Sequence, residues 1–464
     1  MLVLRIGLAS TLPLTEDEAY YRLWAQAPAL GYYDHPPMVA WQIGLGVRLA
    51  GDTALGARIG AILGSAMLGF LVLDMARLAG AGPRLAERAA IWYAIMLLPA
   101  AGGLLAVPDG PAALFWSLAL WASLRAARGG MLAWWLAAGT AAGLATLSKY
   151  SALFLGPGVL IWLASTPKGR GVLATPGPWV ALAVAAALFG LNVLWNAQHH
   201  WLTFAKQFGR ITPHGFAPRY LVEFLATQVL LIGLPMAPFL GRLLAHPRPT
   251  EPGAPDAWPF LASSLPFLAY LTLHSLHDRI QAHWPAPIYP ALALCAAFAA
   301  ERPGRGWAIL RGAVAPFGLG VCAVAVALVV LPMAGVPLAF DPALPLRGWP
   351  RFADALEAAR GRAGAVWVGT TSYGLAAQLS DQPIITVPVL QISERARWTG
   401  LRQGAWADLS RPGLLTDLTR RIDLPSLERC FAIVRPLGVL DRGLPGEKSK
   451  AYAVILVASP RRDV

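Results

Sequence analysis

Repeated apolar runs dominate this chain and restrict what it can become. They fall near residues 1–14, 57–79, 88–106, 111–127, 131–148, 151–166, 177–196, 220–240, 257–275, 284–300 and 311–337. Runs of roughly 18–25 residues match helices crossing a bilayer core of about 30 Å. Lipid offers no partner for backbone N–H and C=O groups, so only helices or closed barrels can span it. The runs lack alternation with period two, which selects helices. The chain is 56% hydrophobic over 464 residues, and its mean hydropathy of +0.53 is too high for an ordinary soluble protein. The expectation is a polytopic α-helical membrane protein with about eleven spans. The first run is short and reads as a short or clipped helix, since no small-x-small cleavage site follows it.

The net charge of +13 follows from loop composition. One set of alternate loops holds Arg77, Arg84, Arg88, Arg125, Arg128, Lys168, Arg170, Arg242, Arg248, Arg302, Arg305 and Arg311. Its Lys/Arg density makes it the cytoplasmic set. No basic stripe or binding motif accompanies the charge, which argues against nucleic acid. The opposite set holds an acidic cluster at 15–21, Pro108-Asp109, Ser148-Lys149-Tyr150, residues 196–219 and residues 276–284. These segments are therefore expected on the external face. Cys295 and Cys322 lie in apolar runs, Cys430 stands alone, and no disulfide framework or CxxC site is visible.

Residues 15–56 mix aromatic and charged side chains before Pro36-Pro37, which fits short amphipathic helices on the membrane surface. Residues 196–219 read the same way. Charge rises after about residue 338, and no further span follows. Segments 365–369, 383–387, 430–434 and 451–457 read as strands, and 372–380 and 414–422 as helices. The expected organisation is a membrane domain over 1–337, with 15–56 as an external catalytic loop, and a small external α/β domain over 338–464.

The chemistry-bearing residues concentrate in the external set. In the Asp17-Glu18 pair, one carboxylate can accept a proton from a substrate hydroxyl while the other holds substrate or a cation. The alternative is an acidic helix start. Tyr20 follows them. Asp34-His35 before two prolines can orient a hydroxyl, bind phosphate or ligate metal, or can simply form a polar turn. No spacing such as HExxH supports a metal, and a divalent ion is left open. Asp109 is an active-site carboxylate or a helix cap. Lys149, beside Tyr150, either snorkels or neutralises a lipid phosphate. Arg279 and His283 present the same choice. Lys206 and Arg210 are less specific cationic candidates.

Asp17-Glu-Ala-Tyr-Tyr21 and Gly31-Tyr-Tyr-Asp-His-Pro-Pro37 together resemble the first external loop of GT-C membrane glycosyltransferases. The nearest group is glycosyltransferase family 39, which includes the protein O-mannosyltransferase-like proteins related to lipid A aminoarabinose transferases. Pro108-Asp109, Leu147-Ser-Lys-Tyr150, Asn192-Val-Leu-Trp-Asn196 and His283-Trp-Pro-Ala-Pro287 extend the resemblance over most of 1–337. It implies a GT-C-like fold, a polyprenyl-phosphate sugar donor, and transfer to a cell-envelope acceptor on the periplasmic face of a bacterial inner membrane. It carries the catalytic acid position onto Asp17, with Glu18 beside it, and an active-site role onto Asp109. Some relatives have Glu-Lys before Pro-Pro where this chain has Asp34-His35.

The combined reading is an inverting hexosyl- or pentosyltransferase. Asp17, Glu18 and Asp109 are its catalytic set. Tyr20, Asp34, His35, Lys149, Tyr150, Lys206, Arg279 and His283 are its substrate-binding set. The competing reading is a transporter or flippase of a lipid-linked substrate.

Overall fold

The computed structural model describes residues 1–209, 215–245, 253–301, 304–401, 409–443 and 450–461. Arg210, Arg248 and Arg302 lie outside them. The chain forms two compact units. One comprises Met1–Ser10 and Leu30–Val324; the other comprises Thr11–Ala29 and Ala325–Val464. Residues 11–29, expected within the membrane domain, therefore group with the C-terminal residues.

The larger unit is helical. Its helices Ala54–Leu78 and Pro176–Gln198, and helix Arg305–Met333, of which residues 305–324 belong to it, are long and apolar enough to cross a membrane. Side chains such as Val72, Trp92, Leu120, Phe260 and Leu294 form its main core. Two expected straight runs are broken. Residues 88–106 divide into helices Pro83–Ile95 and Leu97–Gly102, with Met96 extended between them. Pro99 in the second helix brings no N–H to continue the first. Residues 220–240 divide into helices Arg219–Ile232 and Ala237–Ala245, bent by 114°. The intervening Gly233-Leu-Pro235 supplies two residues that interrupt a helix. Segment 15–56, expected to be external, does contain two short helices, Glu16–Ala25 and Met38–Ala50.

The smaller unit contains a five-stranded sheet: β1 (Trp367–Thr370), β2 (Val389–Gln391), β3 (Gly413–Leu418), β4 (Phe431–Asp441) and β5 (Ala451–Pro460). Their order is β2-β1-β3-β5-β4. β1 pairs in parallel with β2 and β3, while β5 runs antiparallel to β3 and β4. Helices Glu16–Ala25, Trp349–Ala363, Tyr373–Ser380 and Leu424–Cys430 belong to the same unit. Leu414 joins a core with Phe352, Val368 and Leu375, whereas Leu415 joins another with Trp367, Phe431 and Ile455. Adjacent residues reaching opposite cores is the period-two geometry of a strand.

Two sequence expectations are corrected here. Residues 414–422 are not a helix: they contribute to β3 and a short 3-10 turn, Thr419–Arg421. β3 is buried throughout, so its apolar run lacks the alternation that distinguishes a strand. Residues 383–387 are not a strand either; β2 begins at Val389. Pro383 and Pro388 flank that stretch and cannot donate to a ladder. The Pro388 carbonyl still accepts from Val368 N at 2.9 Å, which brings β2 into register.

Candidate active site

The acidic turn begins with a reciprocal cap. Thr15 Oγ1 accepts from Glu18 N at 3.3 Å, and Glu18 Oε2 accepts from Thr15 N at 3.0 Å. This capping box satisfies two backbone donors and fixes the first turn of helix Glu16–Ala25. Glu18 is fully buried in that role. Asp17 instead is exposed, and its Oδ1 accepts from Tyr373 Oη at 2.8 Å. Tyr20 points into an aromatic group with Trp24, Tyr373 and Trp398. Its hydroxyl donates to the Arg397 carbonyl at 3.3 Å.

In the larger unit, Asp109 opens helix Asp109–Gly129, ahead of the apolar run. It does not cap that helix. Its Oδ1 meets Lys149 Nζ at 2.6 Å, and its Oδ2 lies 3.8 Å from His283 Nε2. Burial pushes the Asp109 carboxyl up, but Lys149, His283 and His35 outweigh this and hold it below its ordinary value. Lys149 is largely buried, whereas His283 is about half exposed. One anionic group and several cationic or protonatable groups therefore converge: Asp109, Lys149, His283 and His35.

The His35 loop is held by a clamp of amides and hydroxyls. Asn192 Nδ2 donates to the Leu30 carbonyl at 2.8 Å, and Asn192 Oδ1 accepts from Tyr150 Oη at 2.7 Å. Asn196 lies one helical turn on, so both amides share a face. Its Oδ1 accepts from Thr203 N at 3.2 Å and Phe204 N at 3.3 Å. The chain can return there because His200 and Trp201 both take left-handed backbone, with φ of 55° and 57°. Thr203 Oγ1 then donates to the Tyr32 carbonyl at 2.7 Å. Gln207 Nε2 donates to the carbonyl of Asp34, whose side chain is buried. On the other side, Met38 N donates to the Leu147 carbonyl at 3.0 Å. That bond ties the loop to the strand of chain carrying Lys149 and Tyr150.

The remaining candidates sit apart from Asp109. Arg279 is exposed and forms an ion pair with Glu223. Lys206 lies 5.2 Å from the centre of the Tyr33 ring, a cation–π placement. Among the described residues, no three His, Cys, Asp or Glu side chains group as metal ligands.

The family model described as dolichyl-phosphate-mannose-protein mannosyltransferase matches residues 34–195. The lipid A galacturonosyltransferase RgtD of Rhizobium johnstonii is 30% identical over 280 residues, covering 59% of this chain and 58% of that protein. An undecaprenyl phosphate-alpha-4-amino-4-deoxy-L-arabinose arabinosyl transferase of Pseudomonas aeruginosa is 30% identical over 222 residues, covering 40% and 38%. ArnT from Cupriavidus metallidurans bound to undecaprenyl phosphate superposes with a TM-score of 0.61 at 15% identity, over 99% of this chain and 98% of ArnT. In sequence this chain resembles these transferases, and in fold it resembles ArnT. Its sequence matches span little more than half of the galacturonosyltransferase and well under half of the arabinosyl transferase. The likeness to ArnT concerns the fold.

Sequence reasoning missed the partners of the key groups. Tyr373 lies 356 residues from Asp17, and no local pattern marks it. Asn192 and Asn196 were visible as a motif, without their role as a clamp. Thr203 and Gln207 carried no signal beyond being polar side chains in an amphipathic segment.

Proposed function

We propose that this protein is an inverting glycosyltransferase. It moves a sugar from a polyprenyl phosphate to a hydroxyl of lipid A or another cell-envelope acceptor, at the periplasmic face of the inner membrane. The observation that carries this reading is the exposed Asp17 carboxylate on a turn fixed by the Thr15–Glu18 cap. A general base needs this combination of access and fixed orientation. The lipid A galacturonosyltransferase and arabinosyl transferase relatives supply the donor and acceptor classes. The periplasmic placement rests on the Lys/Arg asymmetry of the loops.

Asp17 accepts the proton of the acceptor hydroxyl. The acceptor oxygen forms the new bond to the anomeric carbon as the bond to the phosphate oxygen breaks. Polyprenyl phosphate leaves with the bonding pair, and attack opposite the leaving group inverts the centre. Lys149 has three N–H donors and gives one to Asp109. The others are free to donate to phosphate oxygens of a lipid-linked donor, whose negative charge a cation stabilises. Asp109 fixes the position of Lys149, and His283 adds a second donor. Asn192, Asn196 and Thr203 hold the loop that carries Asp34 and His35.

The test is incubation of purified protein with labelled undecaprenyl-phosphate sugars and envelope fractions. Label in an acceptor supports transfer. The 114° break between helices Arg219–Ile232 and Ala237–Ala245 favours a second reading, a lipid-linked substrate transporter, because broken helices occur at transport sites. Movement of intact donor across a vesicle membrane, without cleavage, supports that reading instead.

A further inference from the structure

We propose that Tyr373 is a positioning residue for the Asp17 base, acting through the hydrogen bond from its hydroxyl. The inference rests on the role given to Asp17 above and assigns part of the catalytic geometry to the C-terminal sheet unit.

Asp17 is exposed, so helix formation alone leaves its carboxylate free to rotate. The Tyr373 hydroxyl removes that freedom by donating to Oδ1 at 2.8 Å. Oδ2 is left for the substrate proton. The donor is itself fixed. Its ring lies 5.0 Å from Tyr20 and has the Arg397 guanidinium 4.4 Å from its centre. Arg397 is buried and pairs with Glu394 at 3.0 Å.

Helix Tyr373–Ser380 holds helix Glu16–Ala25 along its length. Gln378 Nε2 donates to the Leu14 carbonyl at 2.7 Å, and Asp381 pairs with Arg22. At the near end, a Cβ on Gly374 would come within 2.6 Å of Glu16 Oε2. A larger residue there would make the Glu16 side chain shift, so the glycine allows the close approach of the two helices beside Tyr373. The positive end of helix Tyr373–Ser380 also faces the acidic turn there.

Tyr373→Phe keeps the ring and removes the hydroxyl. The expected result, with full-length protein in detergent, is a fall in kcat of about tenfold with KM for the lipid donor unchanged, the signature of a contact used in the transition state. The probes are undecaprenyl-phosphate-linked 4-amino-4-deoxy-arabinose and polyprenyl-phosphate galacturonic acid, each with lipid A. Tyr373→Phe in an Asp17→Asn background should cause no further loss, because the donor then has no base to orient. Tyr373→Ala separates packing: it should lower the unfolding midpoint, whereas Tyr373→Phe should not. Wild-type kcat in a folded Tyr373→Phe protein, with Asp17→Asn inactive, overturns this inference and leaves the base assignment intact. An unfolded Tyr373→Phe protein assigns Tyr373 to packing and also overturns it. Full turnover by Asp17→Asn, or no transfer by wild type from either donor, overturns the base assignment and this inference with it.

Discussion

Lys149 Nζ lies 2.6 Å from Asp109 Oδ1, although the two residues are 40 positions apart. Both side chains are largely buried. This pairing explains why an aspartate can remain charged at the end of an apolar helix. It also sets the energetic consequence of breaking the pair. Lys149→Met leaves the Asp109 charge without its main partner, and loss of one member of a buried pair costs about 3–5 kcal/mol. The double variant Asp109→Asn/Lys149→Met should recover much of that loss. Denaturant unfolding of wild type, Lys149→Met and the double variant in detergent checks both; equal stability of all three contradicts the pairing.

The same pair predicts an acid dependence. The folded-state value for Asp109 is depressed, with burial opposing the effect of Lys149, His283 and His35. Its stabilising contribution is therefore present above the unfolded aspartate value of about 3.9. It is lost as pH falls through the lower folded value. Unfolding midpoints measured from pH 7 to 3 should fall at the acid end, and Asp109→Asn should flatten that fall. A wild-type midpoint that rose as pH fell, and did so only when Asp109 was present, would contradict the sign.

The Asn192 clamp predicts a tight site at Gly31. A Cβ there would lie 2.6 Å from both Asn192 Nδ2 and Trp195 Cε3. Gly31→Ala should destabilise by about 1–3 kcal/mol through overpacking. Asn192→Ala should cost about 1–3 kcal/mol by stranding the polar groups it satisfies. Both should raise proteolytic cleavage between residues 30 and 37. Unchanged cleavage in both variants argues against the clamp.

The cap assigns Glu18 a conformational role. Glutamine can replace glutamate in a capping box, so Glu18→Gln should retain most transfer activity. Thr15→Ala should lose about 1 kcal/mol of stability. If Glu18→Gln is as inactive as Asp17→Asn, Glu18 does more than cap.

How much of this was legible in the sequence follows from the range of each interaction. The Thr15-x-x-Glu18 spacing is local, and an acidic helix start is one of the two readings of Asp17-Glu18. The bend near Gly233-Leu-Pro235 was masked because all its neighbours are apolar, so hydropathy merged two helices into one run. β3 was misread for a related reason: burial on both faces erased its alternation. Asp109, Lys149 and His283 were found individually through loop sidedness, yet their contacts depend on three separate chain segments. The Asp17–Tyr373 bond, 356 residues apart, has no sequence signature at all. Arg279 looked similar to Lys149 by composition, and only geometry revealed its partner, Glu223.

The most direct test of the account is transfer by Asp17→Asn. The substitution preserves side-chain size and the Thr15–Glu18 cap while removing the base. Wild type and variant should be compared as matched, folded preparations, with labelled undecaprenyl-phosphate aminoarabinose or polyprenyl-phosphate galacturonic acid as donor and lipid A as acceptor. Loss of a general base predicts a fall in kcat on the order of 10²–10⁴-fold, with donor binding retained. Near-normal turnover by Asp17→Asn would contradict the assignment of Asp17 as the base.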